Sequence, residues 1–390
     1  MSSPGHHEAA AAHGDCDVAR GAPHPLRIAG VDPELRFAGG ETQVMALTRE
    51  LVRRGHQAEI ICNHAGRLWE RARAEGVVCY PLKIRNAIDI SAALRLRAIL
   101  SVGGFDVVHF HTSRAHAMAP FVRGCAPVAI VTRRMDYRPN RMLAPFLYGR
   151  GVDRTIAISS AVADSLVDVG VARSRITIVP SGVDTEYFRP PTAEQRARAR
   201  ETLGIDAHTI AIGAVGALEE RKGQRCLLRA IASISDANVR CFIAGDGSIR
   251  SELAAEVAKL GCGDRVSMLG RVEDPRAILW ALDIFAMPSI LEGLGVAALE
   301  AMACGLPVVA SKTGGLAELV EDENTGLQVP PADTNALAAA LSSLLNNPDR
   351  RRQLGMNANA RIAKEYSMTA MAEQTLEVYL ECLRDKGKVG

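Results

Sequence analysis

The sequence predicts an α/β protein built from two Rossmann-like βαβ arrays that face each other across a central cleft. Short β-branched runs alternate with amphipathic stretches along most of the 390 residues, which indicates parallel βαβ units. The alternation lapses between 182 and 208, around Pro190-Pro191 and a polar, Arg-rich helix, and then restarts. Two domains also fit the usual relation between chain length and domain size.

In the first array, "LRIAGV" (26–31) reads as a strand and "ETQVMALTRELVRRG" (41–55) as an amphipathic helix ending at a glycine. "QAEIIC" (57–62), "FDVVHFH" (105–111), "APVAIVT" (126–132) and "RTIAIS" (154–159) are further strands. "SAVADSLVDVG" (160–170) is a helix, and "RITIVPSGVD" (175–184) closes the array as a strand. The second array opens with "IAIGAVG" (210–216) and the helix "QRCLLRAIASI" (224–234). It continues with "VRCFIAG" (239–245), the helix "SELAAEVAKLG" (251–261), "RVSMLG" (265–270), the helix "PRAILWAL" (275–282) and "DIFAMPS" (283–289). "LPVVAS" (306–311), "TGLQVPP" (325–331) and the helix "TNALAAALSSLL" complete it. The periodicity of 363–383 is helical after a break at Ser367. The expected organisation is a disordered tail over 1–25, one domain over 26–188, a second over 189–365 and a closing helix over 366–390.

Bulk properties exclude several classes. Hydrophobic residues make up 48% and charged residues 23%, with formal net charge +2, an ordinary globular balance. No apolar run reaches the roughly 18 residues that span a bilayer. The first residues lack the basic-then-apolar pattern of a secretory signal, so a cytoplasmic protein is expected. Nine cysteines stand singly with no CxxC pair, as expected of reduced thiols. Residues 27–190 carry 23 Lys+Arg against 15 Asp+Glu, whereas 191–390 carry 22 against 26, so the front half is the basic one. Those arginines lie scattered without aromatic interleaving, which argues against a nucleic-acid partner. No G-x-G-x-x-G follows either opening strand, and no P-loop, H-E-x-x-H or G-x-S-x-G occurs. Asp15-Cys16-Asp17 matches a D-x-D metal pattern but falls in the tail and is read as coincidence.

The stretch that points to chemistry is "EGLGVAALEAMACGLPVVAS" (292–311). A strand ends at "MPS", a glycine-bearing loop follows, and a helix of good formers runs to a stop at Gly305 and Pro307. The helix N-terminus near Gly295 therefore lies at a strand's carboxyl end, where free N–H groups and the positive dipole end favour phosphate. Glu292 precedes the helix and Glu300 lies about one and a half turns inside it. Carboxylates accept hydrogen bonds from hydroxyls. A ligand with a diphosphate in the middle and hydroxyl-bearing sugars on both sides, a nucleotide sugar, fits this spacing.

This segment resembles the E-x7-E signature of the retaining, two-domain (GT-B type) glycosyltransferases of family 4. The resemblance extends from residue 26 over nearly the whole chain, through "FAGGETQV", "DVVHFH", "VPSGVDTEYFRP", "GALEERKG" and "GLPVVASKTGGLAELV". It implies that Glu292 holds hydroxyls of the donor sugar and Glu300 the nucleotide ribose. It implies that Lys222 neutralises the diphosphate, and that Gly39 and Gly40 face the donor phosphate and the acceptor. His111 would stand beside the transferred sugar, and Leu294, Gly295 and Val296 would present backbone to the phosphates. Ala217 stands where the family usually has arginine, and the neighbouring Arg221 is the candidate substitute.

Lys222, Arg221 and the helix end would stabilise the departing diphosphate without a metal, with no cofactor expected. By resemblance, transfer to a saccharide or lipid-linked acceptor retains the anomeric configuration, in the synthesis of cell-envelope polysaccharide or lipopolysaccharide. Arg133, Arg134 and Arg138, with Asp136, are candidate contacts for an anionic acceptor. The basic front half suits peripheral contact with the inner face of an anionic membrane. A sugar-nucleotide epimerase of the same plan and a non-catalytic binding subunit are the alternatives. The final helix would cross back onto the first domain and couple the two.

Overall fold

A computed structural model describes residues 24–36, 39–135 and 139–388. The first sheet holds β1 (Arg27–Asp32), β2 (Gln57–Cys62), β3 (Cys79–Pro81), β4 (Val107–Phe110), β5 (Val128–Arg133), β6 (Arg154–Ala157) and β7 (Ile176–Ile178). All pairings are parallel, in the order β3-β2-β1-β4-β5-β6-β7. The second sheet holds β8 (Ile210–Val215), β9 (Val239–Ala244), β10 (Val266–Gly270), β11 (Ile284–Met287), β12 (Val308–Ser311) and β13 (Gly326–Val329). It is also wholly parallel, in the order β10-β9-β8-β11-β12-β13. Strand order reverses between β1 and β4 and again between β8 and β11. Open α/β sheets bind ligands outside the carboxyl ends of strands at such reversals.

Each sheet is covered on both faces by helices, so its strands read as continuous apolar runs rather than alternating ones. Ile212, Cys241, Ile284 and Val309 of the second sheet pack with Leu227, Leu228, Ile231, Leu337 and Leu341 of the helices on one face. The helix Met368–Asp385 buries Met371, Ala372, Thr375, Val378, Tyr379, Cys382 and Leu383, a single helical stripe. That stripe covers Leu26, Ile28, Val107, Val128 and Ile130, so the last helix packs against the first sheet.

The chain crosses between the two sheets twice, and the crossings hydrogen-bond to one another. Val183 N donates to Tyr366 O at 2.8 Å, and Met368 N donates to Val183 O at 3.0 Å. Ser367 stops one helix and caps the next, its hydroxyl accepting from Ala370 N at 3.1 Å. The break at Ser367 is therefore a helix N-cap. The run 175–184 contributes only Ile176–Ile178 to the sheet, because the residues beyond them form this crossing. The helix expected over 275–282 shortens to Arg276–Leu279.

Three longer helices and a strand go beyond what the sequence indicates, Arg67–Ala74, Ile90–Gly103, Pro348–Glu365 and β3, together with the short helices Ser113–His116 and Leu316–Leu319. The first buries only Leu68 and Ala72, and the last helix of the three buries Leu354, Gly355, Ala358 and Ile362 among charged neighbours. Such narrow stripes give weak periodicity. Among the described residues no helix is long and apolar enough to cross a membrane, and the eight described cysteines are free.

Candidate active site

β11 delivers the chain to the cleft edge, and Pro288 to Gly295 form the loop that enters the helix Val296–Ala303. Gly295 has φ 99°, a left-handed turn that swings the helix axis away from the strand. The loop after β8 closes onto the same spot. A Cβ on Gly223, which has φ 68°, would lie 1.9 Å from Pro288 O, so only glycine permits this approach. Ile290 N and Leu291 N donate to Arg221 O at 2.7 and 3.3 Å, fastening the two loops.

This fastening brings Lys222 to Glu292, with Nζ 2.5 Å from Oε2. Both side chains are largely buried, at 17% and 11% exposure, so the pair is shielded from solvent screening. Ser289 Oγ donates to the same carboxylate oxygen at 3.3 Å. Glu300, in the second turn of the helix, has a different environment. Burial alone acts on its carboxyl and pushes it up to about 8.

The first domain brings a helix to the same junction. Gly39 and Gly40 form the first described turn of the helix Gly39–Arg53, and a Cβ on Gly39 would lie 3.9 Å from Val296 Cγ2. The helix Gly39–Arg53 and the N-terminus of the helix Val296–Ala303 thus approach each other across the cleft. Leu294 is buried behind this junction, while Val296 lines the opening.

His111 lies just beyond β4, buried, with its Nδ1 bound to no group among the described residues. Burial and the neighbouring His109 hold its ring neutral, well below the usual histidine range. The rings of His109 and His111 are 4.0 Å apart. His109 is fully engaged: its ring nitrogens meet Tyr379 OH at 2.6 Å and Thr132 Oγ1 at 2.7 Å. The strand histidine is therefore structural, and the one after it retains hydrogen-bonding capacity.

The Arg133 guanidinium donates to Tyr148 OH at 2.8 Å and stands over that ring. Arg134 donates to Ser181 Oγ at 3.2 Å, and burial lowers its guanidinium to about 10 against the pull of Asp32 and Glu41. Asp136 and Arg138 lie outside the described residues. Arg221 pairs with Glu219 at 2.8 Å rather than with Glu292.

Sequence reasoning missed the basic wall of the cleft. A cavity of about 740 Å³ is lined by Arg49, Arg67 and Arg71 from the first domain and by Arg271, Val296 and Glu300 from the second. Arg67 and Arg71 stand four apart on one helix face, a spacing visible in the sequence once the helix is known. Asp32, buried at the end of β1, was missed as well. Burial and the adjacent Glu41 raise its carboxyl to about 7, and its Oδ2 has no partner among the described residues.

Two Rossmann-like parallel sheets with their carboxyl edges turned to a shared cleft define a GT-B glycosyltransferase architecture. Models of two glycosyltransferase domains match the chain: Glycosyltransferase Family 4 over 37–187 and Glycosyl transferases group 1 over 195–361. A D-inositol 3-phosphate glycosyltransferase of Xylanimonas cellulosilytica is 31% identical over 89% of this chain and 93% of its own length. A GDP-mannose-dependent mannosyltransferase of Corynebacterium glutamicum, acting on a monoacylated phosphatidylinositol monomannoside, is 36% identical over 51% of this chain and 55% of its own. The chain belongs to glycosyltransferase family 4. Among solved structures, Anabaena HepE in complex with UDP shares the fold with TM-score 0.82 at 21% identity, covering 91% of this chain and all of HepE. A glycosyltransferase of Rickettsia africae shares it with TM-score 0.84 at 21% identity, covering 93% and 99%.

Proposed function

We propose that this glycosyltransferase moves a sugar from a nucleotide sugar to a phosphate-bearing saccharide or lipid-linked acceptor, with retention of anomeric configuration and without a metal. The observation that carries the reading is the approach of the two helices at Gly39 and Val296, flanked by Glu292–Lys222 on one side and Glu300 on the other. A diphosphate at this junction would meet the backbone N–H groups at the N-terminus of the helix Val296–Ala303. Glu300 would accept from the nucleotide ribose, and Glu292 from hydroxyls of the transferred sugar.

As the anomeric bond breaks, negative charge accumulates on the leaving diphosphate. Lys222 exchanges Glu292 for that charge, which frees the carboxylate for the sugar. Arg221 is proposed as the second cation, leaving Glu219 when the diphosphate is present. His111, neutral and held in place by β4, offers an imidazole nitrogen or its backbone to the sugar. The acceptor hydroxyl then arrives from the Gly40 side. Arg49, Arg67 and Arg71 supply cations for an acceptor phosphate, a role consistent with relatives named for phosphorylated inositol acceptors. An acceptor of the bacterial envelope, whether polysaccharide or lipopolysaccharide precursor, with peripheral contact at the inner leaflet, fits this basic wall. The epimerase and binding-subunit readings find no support among relatives named as glycosyltransferases.

The test is incubation with UDP-, GDP- and ADP-sugars and either an inositol phosphate or a phosphorylated lipid acceptor, with excess EDTA. Mass spectrometry should detect one glycosylated product, and proton NMR should assign its anomer as that of the donor. Inverted product, or activity lost to EDTA and restored by manganese, contradicts the mechanism.

A further inference from the structure

The loop that carries Glu292 is held from the other domain as well as its own. Ser159, buried at the N-cap of the helix Ser160–Val167, donates its hydroxyl to Gly293 O at 2.7 Å. A Cβ on Gly293 would lie 2.5 Å from Arg134 O, so the backbones of the two domains touch here. At the same helix end, the carboxylate of Glu318 accepts from Ser160 N at 3.0 Å and Ala161 N at 3.1 Å. An acidic residue of the second domain thus caps a helix of the first, where the free N–H groups and the dipole favour it.

These contacts form a connected chain. Glu292 O accepts from Gly315 N at 3.1 Å, in the segment that leads into the short helix Leu316–Leu319 bearing Glu318. Arg361 donates to Leu319 O at 2.6 Å and Glu318 O at 3.1 Å. Arg361 lies on the helix Pro348–Glu365, which runs directly into the crossing at Tyr366–Met368. The interdomain crossing, the Glu318 cap and the Glu292 loop are therefore mechanically joined.

We propose that Ser159 and Glu318 are positioning residues, a cross-domain clasp that sets the Glu292–Val296 loop only when the two domains are closed on each other. The clasp ties the donor-sugar carboxylate and the phosphate-facing backbone to the acceptor domain. Sugar and phosphates meet their ligands in register only when the acceptor wall is also in place, which protects the donor from water until then. The catalytic part of this inference rests on the glycosyl-transfer reading. The clasp itself does not.

Two variants test it without disturbing a substrate contact. Glu318→Ala removes the cap. Ser160→Pro removes one donor N–H at the first helical position, where proline is tolerated. Ser159 has φ −160° and ψ 165°, an extended conformation compatible with a following proline. Hydrogen exchange of the 159–167 segment, read by mass spectrometry, should quicken at least tenfold at Ala161 in Glu318→Ala. With UDP-glucose and GDP-mannose as donors, each variant should lower kcat at least tenfold while changing donor KM and UDP or GDP affinity less than threefold. The double variant should lose no more than Glu318→Ala alone, because that change already breaks both contacts and Ser160→Pro only one of them. Glu318→Gln, which keeps an acceptor oxygen, should recover part of kcat. Unchanged exchange in Glu318→Ala overturns the clasp whatever the donor. Quickened exchange with parental kcat overturns its role in positioning. Failure of the unaltered protein to use any nucleotide sugar would count against the transfer reading alone.

Discussion

Glu292 and Glu300 are chemically identical side chains eight positions apart, and their surroundings differ. Glu292 stands against an ammonium, so removing that ammonium strands a mostly buried carboxylate. Lys222→Ala should cost about 1–3 kcal/mol in denaturant unfolding. It should also lower turnover about 10²–10³-fold, as loss of a leaving-group donor in a dry site does. Glu300 has only burial acting on it, and burial favours the proton. Its folded pKa of about 8 lies above the ordinary 4.5, so its stabilising contribution is complete below pH 4.5 and is lost as pH rises through 8. Asp32, raised from 3.8 to about 7, acts in the same direction over a lower window. The free protein should therefore melt at lower temperature at pH 8 than at pH 6, and Glu300→Gln should flatten part of that slope. A ribose diol prefers the carboxylate form, so nucleotide binding should expel a proton and tighten with pH up to about 8. Calorimetry in two buffers of different ionisation enthalpy measures that proton, and Glu300→Gln should abolish it.

At the scale of elements, the strand–loop–helix unit over 284–303 was legible because glycine, proline and helix formers punctuate it locally. The basic wall was not. Arg49, Arg67 and Arg71 come from two helices that meet only in the folded domain, and the second of these has too narrow an apolar stripe to show in sequence. Ser159 and Glu318 look like an ordinary N-cap and an ordinary exposed acid until both domains are present. Arg133 ends β5, and the contact of its guanidinium with Tyr148 is one that only the fold brings about. The returning helix was legible from its period, though its reach to β4 through Tyr379 was not. That contact yields a prediction at this scale. Tyr379→Phe leaves a ring nitrogen of His109 unpaired in the core and should cost about 1–3 kcal/mol, measured by urea unfolding. His111, stacked on His109, should lose order with it, so turnover should fall more than the change in Tm alone would account for.

Across the whole molecule, the proposed reading places Glu300, Lys222 and Glu292 of the second domain around the donor and Arg49, Arg67 and Arg71 of the first against the acceptor. The central claim is that a nucleoside diphosphate occupies the cleft with its ribose on Glu300 and its phosphates at the N-terminus of the helix Val296–Ala303. The most direct test is thermal unfolding with UDP, GDP and ADP at saturating concentration, for the unaltered protein and for Glu300→Ala. A ligand at 100 times its Kd stabilises the native state by about 2.7 kcal/mol. The account predicts that one of the three raises Tm clearly in the unaltered protein and that Glu300→Ala loses most of that rise. No rise with any nucleotide, or an equal rise in Glu300→Ala, would contradict it.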